Sequence, residues 1–135
     1  ILGIGYDITK WDDKQKAIAK EKIAQYKDIR QTVQFGNHYR LVSPYENNRS
    51  ILQFVNNNQK ESIIFVYNLG EYPNNAIPET QRTNKVLLRG LNPDSLYKIQ
   101  GLEGAFKGNY LMNSGIEFPV RGAFKSQIFK LQTVN

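Results

Sequence analysis

The sequence predicts a mainly β fold, an antiparallel β-sandwich of about eight strands preceded by one long α-helix. Three observations carry this reading. A charged stretch near the start repeats its apolar residues at three- and four-residue steps. After Gly36 the texture changes to short runs that alternate apolar and polar residues. Clusters of Gly, Pro, Asn, Asp and Ser separate those runs and supply the turns between them.

The helix is expected over residues 12–33, DDKQKAIAKEKIAQYKDIRQTV. Asp12 can accept from the first free amides, and Gln15 stands three residues on, the pattern of a capping box. Asp13 adds negative charge where the helix dipole favours it. Ala19, Ile23, Tyr26, Ile29, Arg30 and Val33 fall along one stripe, while Lys14, Lys16, Lys20, Lys22 and Lys27 lie mostly away from it. Gly36 and Asn37 stop the helix. A helix of this length with an apolar stripe needs a partner surface.

Strands are expected at HYRLV (38–42), SILQFVN (50–56), ESIIFVYNL (61–69), KVLLRG (85–90), LYKIQ (96–100), NYLM (109–112), IEF (116–118) and AFKSQIFKLQ (123–132). Such spacing suits an antiparallel sandwich or barrel, the sandwich being preferred. Residues 70–84 read as one long polar connection with two prolines, crossing from one sheet to the other. GLEGAFKGNY (101–110) reads as a turn, because it lacks the Gly-Lys-Ser/Thr ending of a phosphate-binding loop.

The 135 residues are 40% hydrophobic and 22% charged, enough for one core and not two. No run approaches the ~20 apolar residues that span a bilayer. The opening lacks the features of a signal peptide. The absence of cysteine excludes disulfides, thiolate zinc sites and a cysteine nucleophile. The net charge of +6 is spread along the chain: residues 1–33 carry seven Lys/Arg against five Asp/Glu, the remainder eleven against seven. That distribution describes a solvated surface, with no nucleic-acid face and no membrane partner.

His38 is the single histidine and has no serine, cysteine or carboxylate cluster beside it, so a structural or solvent-facing role is expected. Asn48-Arg49-Ser50 matches a glycosylation triplet, to which no modification is assigned. Tyr45, Tyr67, Tyr72, Tyr97 and Tyr110 are candidates for a sugar-stacking platform; the competing reading makes them core and edge residues.

The order of these features resembles the C-terminal part of the α-galactosidases of glycoside hydrolase family 36. The most specific pieces are YKDIR with VQFG (26–36), YRLVSP (39–44) and LMNSGIEFPVRG (111–122), and the likeness covers essentially the whole chain. Gln31 departs from it, standing where the family often carries proline. The resemblance implies that ILGIGY is the last strand of a (β/α)8 barrel and that the helix is the last barrel helix. Parallel barrel strands are buried on both faces and read as apolar runs, as ILGIGY does. Residues 1–34 are then the end of a catalytic barrel and 35–135 a C-terminal antiparallel β-sandwich domain, the chain as a whole being a fragment.

Lys10-Trp11-Asp12 is similar to the family's nucleophile run, but that aspartate projects from a strand end, whereas Asp12 opens a helix. Retaining glycosidases need two carboxyl groups ~5–5.5 Å apart, and Asp12 and Asp13, neighbours on a helix, do not converge on one bond. No catalytic residue, cofactor site or metal site is assigned within the chain, which alone is expected to be inactive. The parent implied by the resemblance hydrolyses terminal α-galactosides by a retaining mechanism, with one aspartate as nucleophile, another as acid/base and no cofactor. The implied partner is the barrel of the same parent chain; the substrate meets the parent only, which can be an oligomer. Localisation stays open, the cytoplasm being favoured. The alternative is an autonomous carbohydrate-binding β-sandwich.

Overall fold

The computed structural model describes residues 7–45, 48–70 and 85–134. The expected barrel strand at 1–6 and nearly all of the expected connection at 70–84 lie outside the described residues. A single 3-10 turn, Ile8–Lys10, leads into helix α1, Asp13–Phe35. The capping box forms as expected: Gln15 N–H donates to Asp12 Oδ1 at 2.7 Å, and Asp12 N–H donates to Gln15 Oε1 at 3.0 Å. The helix runs two residues past its expected end and stops at Gly36, whose N–H reaches Thr32 O at 2.9 Å. A Cβ at Gly36 would stand 2.5 Å from both Thr32 O and Val55 O, so only glycine lets the helix end approach the sheet this closely.

Eight strands follow among the described residues: β1 (Asn37–Val42), β2 (Arg49–Val55), β3 (Glu61–Asn68), β4 (Lys85–Val86), β5 (Leu96–Ile99), β6 (Ala105–Lys107), β7 (Ile116–Glu117) and β8 (Ser126–Val134). Six of them form one sheet in the order β1-β2-β3-β8-β5-β6, and β4 pairs with β7. Every pairing is antiparallel. The fold is therefore mainly antiparallel sheet with one long helix, a lopsided sandwich whose second layer holds two short strands among the described residues.

The register sorts side chains onto two faces. Ile51 opposes Val66, Gln53 opposes Ile64, and Ser62 and Ile64 oppose Leu131 and Phe129. These residues are all buried and form the inner face. Val86, Leu88, Leu91, Leu111, Ile116 and Phe118 cover it, completing one core with Tyr97 and Ile99. Phe118 and Phe129 meet across the layers with ring centroids 4.8 Å apart. Each such fully buried side chain contributes roughly 1.5–3 kcal/mol.

Three expected elements change. NYLM is not a strand: it lies in helix α2, Gly108–Asn113. Tyr110, Leu111 and Met112 are consecutive and cannot alternate; one helical turn buries Leu111 fully and leaves Tyr110 outside. The loop read as a turn at 101–110 contains the edge strand β6, preceded by Gly101 and Gly104 at positive φ. The strand expected over 85–90 pairs only at Lys85–Val86; from Leu87 to Arg89 the chain leaves the ladder and bonds elsewhere.

Candidate functional site

The outer sheet face and α1 together hold the most organised polar geometry of the described structure. Alternation from the buried set places Leu52, Phe54, Glu61, Ile63, Phe65, Tyr67, Ile128, Lys130 and Gln132 on this face. Helix α1 lies over β2 and β3 here. Its last turns supply the contact: Ile29 and Thr32 are its two buried residues.

Lys130 fastens the helix down. Its Nζ lies 2.8 Å from Asp28 Oδ2 on α1 and 3.1 Å from Glu61 Oε2 on β3. Thr32 Oγ1 donates to Glu61 Oε1, and Gln132 Nε2 donates to Glu61 Oε2 at 3.4 Å. The Lys130 side chain is only 14% exposed. Burial pulls its pKa down, but the hydrogen bonds and charges of Asp28 and Glu61 outweigh that and hold it above the ordinary lysine value. The result is a charged clamp between helix and sheet with every member partnered.

Beside the clamp runs a row of rings across three strands. His38 stacks on Phe54 at 4.6 Å, Phe54 meets Phe65 edge-on at 5.8 Å, and Phe65 lies parallel to Tyr67 at 6.4 Å. Phe54 and Phe65 are half-buried while His38 and Tyr67 are exposed at the ends. An apolar row left half-covered on a sheet face marks a surface suited to packing.

The residues singled out in the sequence fall in separate places. Asp12 is a helix cap. Asp13 is fully exposed, with Lys16 Nζ at 3.8 Å. His38 is a ring in the outer row. Of the tyrosines, Tyr97 is a core residue whose hydroxyl donates to Gln59 O at 2.6 Å and accepts from Asn92 N–H at 3.0 Å. Tyr45 stands exposed in a turn, Tyr67 ends the outer row, and Tyr110 stacks against Phe106 at 6.0 Å from α2. Tyr72 lies outside the described residues. The four described candidates for a stacking platform do not share one surface. Among the described residues no three His, Cys, Asp or Glu side chains gather where they could hold a metal ion, and no helix is long and apolar enough to cross a membrane.

Sequence reasoning missed the clamp. Arg30, placed in the expected stripe, is exposed; Thr32 takes its place. Thr32 stands three residues after Ile29, and that spacing was the available signal. Nothing in the chain order joins Asp28, Glu61 and Lys130.

Residues 49–131 match the family model described as Glycosyl hydrolase family 36 C-terminal domain. The chain is 34% identical to alpha-galactosidase AgaA of Geobacillus stearothermophilus, over 98% of this chain and 17% of that protein. It is 32% identical to alpha-galactosidase Mel36A of Lactobacillus acidophilus, over 99% of this chain and 18% of that protein. Among solved structures, the GH36 alpha-galactosidase AgaB of Geobacillus stearothermophilus superposes with a TM-score of 0.80 at 36% identity, covering 95% of this chain and 17% of that one. A variant of AgaA in complex with raffinose gives a TM-score of 0.79 at 33% identity, with the same coverage. The chain thus spans about a sixth of the length of these relatives.

Proposed function

Because the chain belongs to the family of glycosyl hydrolase family 36 C-terminal domains, we propose that it is the noncatalytic C-terminal module of an α-galactosidase-like glycoside hydrolase, and that it buttresses the catalytic barrel. In this reading residues 1–34 belong to the barrel and residues 35–135 to the sandwich. The whole enzyme acts on terminal α-galactosides, the class to which the raffinose bound by the AgaA variant belongs. Its catalytic carboxylates lie in the remainder of the enzyme.

The observation that carries the proposal is how α1 sits. Its C-terminal turns are clamped to the sheet through Ile29, Thr32 and Lys130, while its N-terminal turns, from Asp13 to about Ala24, carry no buried residue. A helix of 23 residues is about 34 Å long, and only its last third is used by the sandwich. Such an element is a strut: one end belongs to the sheet, the other is free to pack elsewhere. The half-covered aromatic row offers a second contact on the same side.

The test is hydrolysis of a chromogenic α-galactoside by the full-length gene product and by residues 1–135. Activity confined to the longer protein is the expected result. Activity in residues 1–135 overturns it.

A further inference from the structure

The β6 edge of the large sheet carries a small uncharged aromatic surface. Phe106 on β6 stands opposite Tyr97, a fully buried core residue, so its ring lies on the inner face where the sheet ends. Phe106 is half-buried against the core. Tyr110 on α2 lies near-parallel to it, with 17° between the ring planes and 6.0 Å between centroids, and is 44% exposed. The backbone around the two rings is pinned. Gly108 N–H donates to Ser95 O at 2.9 Å, Asn109 N–H donates to Pro93 O at 3.0 Å, and Leu111 is fully buried. A Cβ at Gly108 would stand 2.0 Å from Asn92 O, so α2 starts seated directly on that loop. Asn113 Nδ2 donates to Asn109 O at 3.0 Å and also to Asn109 Oδ1, which orients both amides. Asn109 Nδ2, Asn113 Oδ1 and the Tyr110 hydroxyl keep their capacity unspent among the described residues. Residues 108–116 carry no charged side chain.

We propose that Tyr110, oriented by Phe106 and flanked by Asn109 and Asn113, binds a galactosyl residue, with the ring of the tyrosine against the sugar's C–H face and the two amides on its hydroxyls. The proposal rests on the functional reading above for the class of sugar. The chemistry of the surface supports it in three ways. The axial O4 of a galactopyranose gathers the C–H bonds at C3, C4 and C5 on one face, and these weakly positive hydrogens suit the negative face of an aromatic ring. Sugar hydroxyls both donate and accept, as do the free groups of Asn109, Asn113 and Tyr110. The missing charge disfavours a phosphorylated or carboxylated ligand. A protein partner fits poorly: two aromatic side chains bury roughly 150–250 Å² each at most, well short of the ~800 Å² per partner of a standard interface. The pinned backbone holds the rings in place before the ligand arrives, which lowers the ordering cost of a small contact. Tyr110 is thus the one member of the sequence-predicted tyrosines whose surroundings suit a sugar, and it acts with a phenylalanine and two asparagines that were not among them.

The experiment is hydroxyl-radical footprinting of the full-length gene product, read residue by residue by mass spectrometry. The probe is methyl β-galactoside, whose β linkage an α-galactosidase does not cleave. The control is methyl β-glucoside at the same concentration, which scavenges radicals equally and differs only in the configuration at C4. Tyr45 and Phe124, both well exposed, are the internal references. Saturating galactoside should slow oxidation of Tyr110 about twofold, since a pyranose covers one of the ring's two faces. The glucoside should leave Tyr110 unchanged, and neither sugar should change the references. In Y110A, the galactoside concentration that half-protects Phe106 should rise at least about fivefold. If that variant fails to fold, the galactoside–glucoside contrast in wild type decides alone. Equal protection by the two sugars overturns the proposal, as does no protection by either, or a Tyr110 that is already unreactive without sugar. α-Galactoside hydrolysis by the same preparation separates the two ideas. An active enzyme with Tyr110 unprotected removes the sugar site alone; an inactive one removes the functional reading and with it the choice of galactose.

Discussion

The side-chain amide of Gln53 holds both backbone polar groups of Arg89. Arg89 N–H donates to Gln53 Oε1 at 2.8 Å, and Gln53 Nε2 donates to Arg89 O at 3.0 Å and to Ser62 Oγ at 3.0 Å. Gln53 is fully buried on the inner sheet face. Its amide takes the place of a neighbouring strand for the segment that leaves the ladder after Val86, and so it joins the two layers.

Gln53→Leu keeps the volume roughly and removes the partner of the part-buried Arg89 N–H and Arg89 O and of the buried Ser62 Oγ. Orphaned groups of this kind cost about 1–3 kcal/mol each. We expect urea unfolding to lose about 2–4 kcal/mol with the slope unchanged. A loss below about 0.5 kcal/mol would mean that Arg89 finds other partners and that the amide is dispensable.

Lys130→Met tests the clamp. The stem is conserved while the charge is lost, leaving Glu61 half-buried opposite Thr32 and Gln132. Asp28 is largely exposed and contributes little, so the expected loss is about 1–2 kcal/mol. The pH dependence has a definite sign. The folded-state pKa of Lys130 is raised, so the clamp is fully present below the ordinary lysine value of 10.5 and is lost as pH rises through the higher folded value. The stability gap between wild type and variant should therefore be constant through neutral pH and close above roughly pH 10.5. A gap that stays open as pH rises well above that value would show that the charge on Lys130 does not supply the stability.

Much of the fold is legible because its determinants are local. ESIIFVYNL announces β3 through branched and aromatic residues, and Asp12 with Gln15 announces the helix start. α2 is hidden because six residues are too few to display a helical period. β6 is hidden because the glycines at 104 and 108 outweigh the three strand residues between them. The break after Val86 is hidden because the partner of Arg89 is a side chain. The clamp is least legible of all: the β3–β8 register sets Ile63 opposite Lys130, and only then does Lys130 meet Asp28 from the helix crossing above.

Gly36→Ala probes the junction of helix and sheet. The new methyl would lie 2.5 Å from two backbone oxygens, Thr32 O and Val55 O, neither of which can swing aside as a side chain can. The helix end must lift, which loosens Ile29 and the Thr32–Glu61 hydrogen bond together. We expect a loss of about 2–3 kcal/mol, in the range of overpacked sites. In a double-mutant cycle with Thr32→Val, the two losses should fall short of additive by at least about 0.5 kcal/mol. Strict additivity would show that the methyl is absorbed at the sheet and that the helix stays in place.

Asp12 separates a capping role from a chemical one. Asn caps a helix about as well as Asp, whereas Ala forfeits about 1 kcal/mol. Asp12→Asn should therefore leave the stability of residues 1–135 within about 0.5 kcal/mol of wild type, and Asp12→Ala should lower it by about 1 kcal/mol with some loss of helical circular dichroism. In the full-length gene product, Asp12→Asn should retain kcat and KM for an α-galactoside. A nucleophilic or acid–base carboxylate does not survive that exchange: replacing the charge by an amide would lower kcat by on the order of a hundredfold or more while leaving the fold intact. Unchanged turnover with intact stability is expected, since both Oδ1 and the backbone N–H of Asp12 are already committed to Gln15.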